Sequence, residues 1–221
     1  MKKINIDQLK YDRILKAALN QFAKHGYQKA NTDDIAKEAE VSKGLIFHYF
    51  GKKQVLYERT ISDVIDFLME QSDDLVSKKY TDLVEVVIQS TQHKIKLEQK
   101  YPNQMHLLIA AYAQKQRLPK GVQEKLGHYM EQNRAIAQQL LTGIIEQLPI
   151  KKEMAQQDVI QLVFGVFNQI TMESLQFLND HPEVTEVKQM QFLTERAEIY
   201  MGILQTGFIE EVGTGVFNPK K

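Results

Sequence analysis

Residues 32–53, TDDIAKEAEVSKGLIFHYFGKK, constrain the fold more than any other stretch of this chain. Thr32 is a good helix N-cap, and Asp33 and Asp34 suit the positive end of the helix that follows. That helix is expected to run to about Ala39. Ser42 then caps a second, short helix through Phe50. Gly51 ends it, because a residue without a Cβ takes the left-handed conformation at no cost. A further helix starts at Lys52. The two short helices must pack on each other across a tight turn. Ile35, Ala36, Ala39 and Val41 supply one side of that packing, and Ile46 and Phe50, four apart, supply the other. Lys43, Gly44, Leu45, Phe47, His48 and Tyr49 are left to face outward or sideways.

The remainder also reads as helix. Residues 11–25 place Ile14, Leu15, Ala18, Leu19 and Phe22 on one face, with Gly26 as the stop. From Lys52 an apolar stripe continues through Val55, Leu56, Ile61, Val64, Ile65, Phe67 and Leu68. Further helices are expected over 82–101, 103–116, 120–148, 154–180 and 184–212. Pro102, Pro119, Pro149 and Pro182 fall at their boundaries, where proline starts or ends helices. No alternating strand pattern or internal repeat is present, and residues 213–221 read as a loose tail. The expected fold is all-α, about nine helices, with a three-helix module over residues 1–53 and a larger body over 54–221. With no Gly/Ser-rich linker in between, the helix from Lys52 is expected to join the two.

Composition narrows the class. The 221 residues are 43% hydrophobic and 25% charged, the balance of an ordinary globular chain. Cysteine is absent, which excludes disulfides and thiolate-bound zinc. No apolar run approaches the roughly 18 residues of a membrane span, and the first residues lack the apolar segment of a secretory signal. A cytoplasmic protein without membrane attachment is the expectation. The net charge of zero hides a division: residues 1–59 carry 12 Lys+Arg against 7 Asp+Glu, a surplus of five, and the remainder carries the opposite. A basic quarter on an acidic body fits a nucleic-acid-binding module.

The chemistry of the module agrees. Phe47, His48 and Tyr49 together are unusual on a merely solvated face, and they suit contacts to phosphates, sugars and thymine methyls. Lys52 and Lys53 stand where cations oppose the helix dipole, at a cost of a few tenths to about 1 kcal/mol. A phosphate bound to the free N–H groups reverses that sign. Simpler readings stay open for each: Phe47 as core packing, His48 as inert surface, the two lysines as solvated side chains.

The pattern T-x-x-I-A-x-x-A-x-V-S-x-G-x-x-F-x-Y-F-x-x-K resembles the N-terminal domain of the TetR family of bacterial transcriptional regulators. The resemblance covers residues 11–57, about a quarter of the chain. It implies that residues 1–53 form a helix-turn-helix DNA-binding domain. Thr32 would cap its helix and touch a phosphate. Ser42, Lys43, Gly44 and Leu45 would enter the major groove, the last three at base edges. Phe47, His48 and Tyr49 would line the groove wall, and Lys53, beside Lys52, would bind phosphate. Glu40 departs from the family, which usually has glycine in the turn. If φ is positive there, Glu costs on the order of 1 kcal/mol.

The same resemblance implies a homodimeric repressor on a palindromic operator, released by a small-molecule effector held in the body. Residues 154–180 are apolar around most of the circumference, and 184–212 repeat apolar residues at three- and four-residue steps. Such helices fit a four-helix seam with a two-fold mate, or an intrachain core. Candidate effector contacts are Phe67, Met105, Tyr112, Tyr129, Phe164, Asn168 and Met172, and their composition points to an apolar or amphipathic ligand.

Other chemistry finds no foothold. His25, His48, His93, His106, His128 and His181 are scattered, without the spacing of a metal site. There is no GxSxG elbow and no Walker loop. The pairs Asp73-Asp74 and Glu210-Glu211 point to different helix faces. No cofactor, no metal and no catalysis are expected. Two rivals remain: a DNA-bound protein that recruits a protein partner without any effector, and a helical enzyme that borrowed the fold.

Overall fold

The computed structural model describes residues 7–71 and 78–210. Among these, nine α-helices follow one another: α1 (Gln8–Lys29), α2 (Thr32–Glu38), α3 (Lys43–Phe50), α4 (Lys53–Glu70), α5 (Leu83–Lys100), α6 (Pro102–Ala113), α7 (Lys120–Ile145), α8 (Gln156–Asp180) and α9 (Gln191–Phe208). Short 3-10 turns stand at Lys115–Arg117 and Val187–Met190. The described residues form no strand, only a bridge between Ile150 and Ile209. The chain is all-α, as its periodicity predicts. The expected loose tail and the Asp73-Asp74 pair lie outside the described residues.

Several helix boundaries differ from expectation: the helix expected over 184–212 begins only at Gln191, after the 3-10 turn, and ends at Phe208, and that expected over 120–148 ends at Ile145. Gly26 does take φ +68°, yet the chain makes a further turn through Lys29 before leaving the helix, closed by Ala30 N–H on the Gly26 carbonyl at 3.2 Å. The cap of α2 is Asn31 rather than Thr32: Asn31 Oδ1 accepts from Asp33 N at 3.0 Å. Thr32 sits instead in the first turn and is buried. Both residues are good caps, and burial of Thr32 leaves the role to the one that stays exposed.

The core has two parts. The first joins Ile14, Ala18 and Phe22 of α1, Ile35 of α2, Ile46 and Phe50 of α3, and Leu56, Tyr57 and Ile61 of α4. It then continues into Leu107 and Leu108 of α6 and Val122 and Leu126 of α7. The first four helices therefore share one continuous core with α6 and α7. Tyr57 is buried within this packing, edge-on to Phe22 at 4.7 Å and 4.8 Å from Tyr27. Burial pushes its phenol well above the ordinary range. The second cluster lies at the far end, where Leu83 and Val86 of α5 meet Leu141, Ile144 and Ile145 of α7, Val159 and Val163 of α8, and Met201 and Phe208 of α9.

Within the single chain, α8 and α9 are not covered all round. Leu162 and Met172 on α8 and Phe192, Ile199 and Ile203 on α9 are exposed, Ile203 at 64%. They fall at helical spacing on adjoining stripes, and Phe177 meets Phe192 edge-on at 4.9 Å beside them.

Candidate nucleic-acid interface

α3 is held from both ends. Ser42 Oγ accepts from Leu45 N at 3.2 Å, and Gly51, at φ +71°, returns its N–H to the Phe47 carbonyl at 2.8 Å. Ile46 and Phe50 turn inward and are buried; Tyr11 stacks on Phe50 at 5.2 Å. With one face thus pinned, Lys43, Gly44, Phe47 and His48 are exposed, and Leu45 and Tyr49 are half-buried. Phe47 keeps 38% of its surface in solvent, so it is not core packing in this chain.

Tyr49 does more than flank the helix. Its hydroxyl accepts from Asp7 N at 3.0 Å, which ties the start of α1 to the back of α3. Sequence spacing carries no signal for this contact, which joins residues 42 positions apart. Lys43 is held too: its ammonium lies 2.8 Å from Asp33 Oδ2 on α2. The pair spans the two helices of the motif, with both side chains about half-exposed.

In the turn between α2 and α3, Glu40 has φ +53°, the only positive value at a non-glycine among the described residues. Its carboxylate pairs with Arg13 Nη1 on α1 at 3.0 Å. Glutamate thus occupies the strained position that the family pattern gives to glycine.

The start of α4 is bare. Lys52 is its N-cap residue and makes no side-chain capping bond, so the first N–H groups of α4 have no side-chain partner there. Lys52 is exposed. Lys53 is half-buried: its ammonium donates to the Gln28 carbonyl at 3.1 Å and sits 5.1 Å from the Tyr27 ring centroid. Desolvation draws its pKa below the ordinary lysine value. The result is a helix N-terminus flanked by two cations, beside an exposed short helix.

The effector candidates do not converge. Met105 belongs to the first core cluster, and Phe67, Tyr112 and Tyr129 pack against it. Phe67 meets Tyr101 edge-on at 4.7 Å, and burial raises the phenols of Tyr112 and Tyr129. Phe164 packs against the second cluster instead, and the Arg134 guanidinium lies 5.4 Å from its ring centroid. Asn168 is half-buried on α8. Met172 is 62% exposed on α8. A groove of about 330 Å³ between α5 and α9, lined by Val84, Ile88, Gly202 and Gln205 among others, includes none of the seven.

Residues 14–60 match the family model for bacterial regulatory proteins of the tetR family. The chain is 40% identical over 65 residues to the HTH-type transcriptional regulator BetI of Agrobacterium fabrum, covering 29% of this chain and 32% of that one. It is 22% identical over 127 residues to IcaR of Staphylococcus epidermidis, the HTH-type negative transcriptional regulator of the biofilm operon icaADBC, covering 55% and 61%. The chain thus spans about a third of one relative and three-fifths of the other. Among solved structures it is similar to a TetR-family regulator from Agrobacterium tumefaciens, with a TM-score of 0.62 at 14% identity, over 88% of this chain and 98% of that one. It is also similar to the regulator FadR from Bacillus subtilis in complex with stearoyl-CoA, with a TM-score of 0.54 at 19% identity, over 89% and 98%. At these identities the structural likeness is one of fold. Residues 14–60 thus match the tetR family model, and the chain shares the fold of a solved TetR-family regulator.

Proposed function

We propose that this protein is a DNA-binding transcriptional repressor, working as a homodimer on a palindromic operator and released from it by a small, apolar or amphipathic ligand. One observation carries the DNA-binding part: α3 is pinned through Ile46 and Phe50, so that Lys43, Gly44, Phe47 and His48 stand exposed beside the bare N-terminus of α4. A short helix entering the major groove, with a helix N-terminus ready for the flanking phosphate, is what such a surface fits. In this reading Ser42 sets the entry of α3. Lys43, Gly44 and Leu45 meet base edges, Phe47, His48 and Tyr49 line the groove wall, and Lys52 and Lys53 take phosphate. Thr32, buried one residue past the observed cap Asn31, serves from the first turn of α2.

The dimer rests on the exposed stripes of α8 and α9. Leu162, Met172, Ile199 and Ile203 are each more than half exposed in one chain, which a mate helix pair would cover. Two reading helices a helical turn of DNA apart then match an inverted repeat. Repression is supported by the negative regulator among the relatives, and a ligand by the stearoyl-CoA bound to a protein of the same fold.

The test is binding of labelled duplex DNA followed by fluorescence anisotropy at two salt concentrations. A steep loss of affinity with salt, and a preference for one sequence that Leu45→Ala alters, are expected. A duplex affinity indifferent to salt rules the reading out.

A further inference from the structure

α1 grips the motif at two points along one face. Arg13 reaches Glu40 in the turn. Two helical turns further on, Asn20 and its neighbour Gln21 reach Glu38, the last residue of α2. Asn20 Nδ2 donates to Glu38 Oε1 at 2.6 Å, and Gln21 Nε2 donates to Oε2 at 2.7 Å. Each carboxylate oxygen thus has an amide of its own, and no Lys, Arg or His forms an ion pair with Glu38 among the described residues. This second grip extends to the body: Asn103, in the first turn of α6, donates through Nδ2 to Asn20 Oδ1 at 2.8 Å.

This chain of amides runs in one direction only. An ionised carboxylate accepts and never donates, so Asn20 must turn its Nδ2 to Glu38. Its oxygen is then left for Asn103, which must donate. Asn20 and Asn103 are half-buried, and a partner removed there leaves a polar group short of a bond. A second contact at the same corner differs in kind. Tyr101, the residue before α6, meets Phe67 of α4 edge-on at 4.7 Å. Apolar burial has no direction and tolerates sliding, whereas a hydrogen bond weakens steeply once its distance or angle departs. α6 lies against α1 over the broadest contact between two helices of the described residues. Within that contact, the Asn103–Asn20–Glu38 chain ties the end of α2 to one place on the body.

We propose that Asn103 is a positioning residue for DNA reading: from the body, through Asn20 and Glu38, it sets where α2 and the α3 packed on it stand. Two α3 helices must lie a helical turn of DNA apart to meet both half-sites, so a shift of α2 appears as a change in the preferred spacing. This rests on the DNA-binding reading above and adds to it a residue outside the motif.

The test uses the full chain and the inverted repeat that it selects from a pool of random duplexes, remade with its halves one base pair closer and one further apart. Asn103→Asp keeps the shape, suits the first turn of a helix, and replaces the donor by an acceptor. It should weaken binding to the selected repeat by about threefold to tenfold, the range in which remote side chains modulate coupling, and flatten the preference among the spacings. Adding Glu38→Gln lets the chain run in reverse: the new amide at 38 donates to Asn20, and Asn20 donates to the new carboxylate at 103. Affinity and spacing preference should return. Glu38→Gln alone measures the effect of removing a charge near DNA, and the recovery must exceed it. Asn103→Leu should lose as much as Asn103→Asp and gain nothing from Glu38→Gln beyond that charge effect. Unchanged binding by Asn103→Asp, a recovery no larger than the charge effect, or equal recovery of Asn103→Leu each overturns the inference. Amide exchange over residues 36–45 of the unbound chain, followed by mass spectrometry, separates the two levels. It should speed up about threefold or more in Asn103→Asp and slow again with Glu38→Gln. If it does so while no repeat is selected, the grip of Asn103 on α2 stands and the regulator reading falls; if exchange is unchanged, the grip falls whatever DNA is bound.

Discussion

Arg13 on α1 reaches across to Glu40 in the turn of the motif, Nη1 to Oε2 3.0 Å, and Glu40 makes that contact from a backbone at φ +53°. A strained residue and its compensating partner therefore sit beside α3. The strain costs on the order of 1 kcal/mol. An exposed ion pair returns at most about that much, and commonly less. Glu40→Gly should therefore leave stability level or raise it by up to about 1 kcal/mol, measured by urea unfolding. It should also strengthen duplex binding slightly, because a carboxylate near phosphates is removed. A loss above about 1 kcal/mol would mean that the ion pair outweighs the strain.

Lys53→Ala should weaken binding to all duplexes alike and reduce the slope of log affinity against log salt by about one unit. Because Lys53 also donates to the Gln28 carbonyl and covers Tyr27, a modest fall in thermal midpoint is expected with it. An unchanged salt slope removes Lys53 from the phosphate contacts, whatever happens to stability.

The cap assignment separates two neighbours. Asn31→Ala should cost about 1 kcal/mol, as should Ser42→Ala, since each side chain satisfies an N–H of its helix. Thr32→Val, which keeps the buried shape, should cost less than either. Equal losses at 31 and 32 would return the capping role to Thr32.

Much of this was legible in the chain itself, for local reasons. Gly26 and Gly51 stand where positive φ is needed, Ser42 precedes an apolar pair four apart, and four prolines mark helix ends; each signal acts within a turn or two of its own residue. The positive φ of Glu40 was open to inference only through the family pattern. What stayed out of reach is long-range. The Tyr49–Asp7 bond, the pairing of Lys43 with Asp33, and the choice between Asn31 and Thr32 depend on which groups the packing buries. Effector residues chosen for being aromatic or Met split between two clusters and the surface, because those residue types fill cores first.

The exposed stripe on α9 makes its own prediction. Ile199→Asp, at a position 60% exposed in the single chain, should leave the monomer folded by circular dichroism and shift sedimentation from dimer to monomer. Affinity for an inverted repeat should fall far more than affinity for a half-site. A variant that still sediments as a dimer would move the seam elsewhere.

Sequence reading by α3 is tested most directly by retention of sheared DNA from the protein's own source, followed by sequencing of what stays bound. A short inverted repeat shared by the retained fragments, lost when Leu45 and Lys53 are replaced, is expected. Retention without any shared sequence, or no retention at low salt, contradicts a sequence-reading regulator.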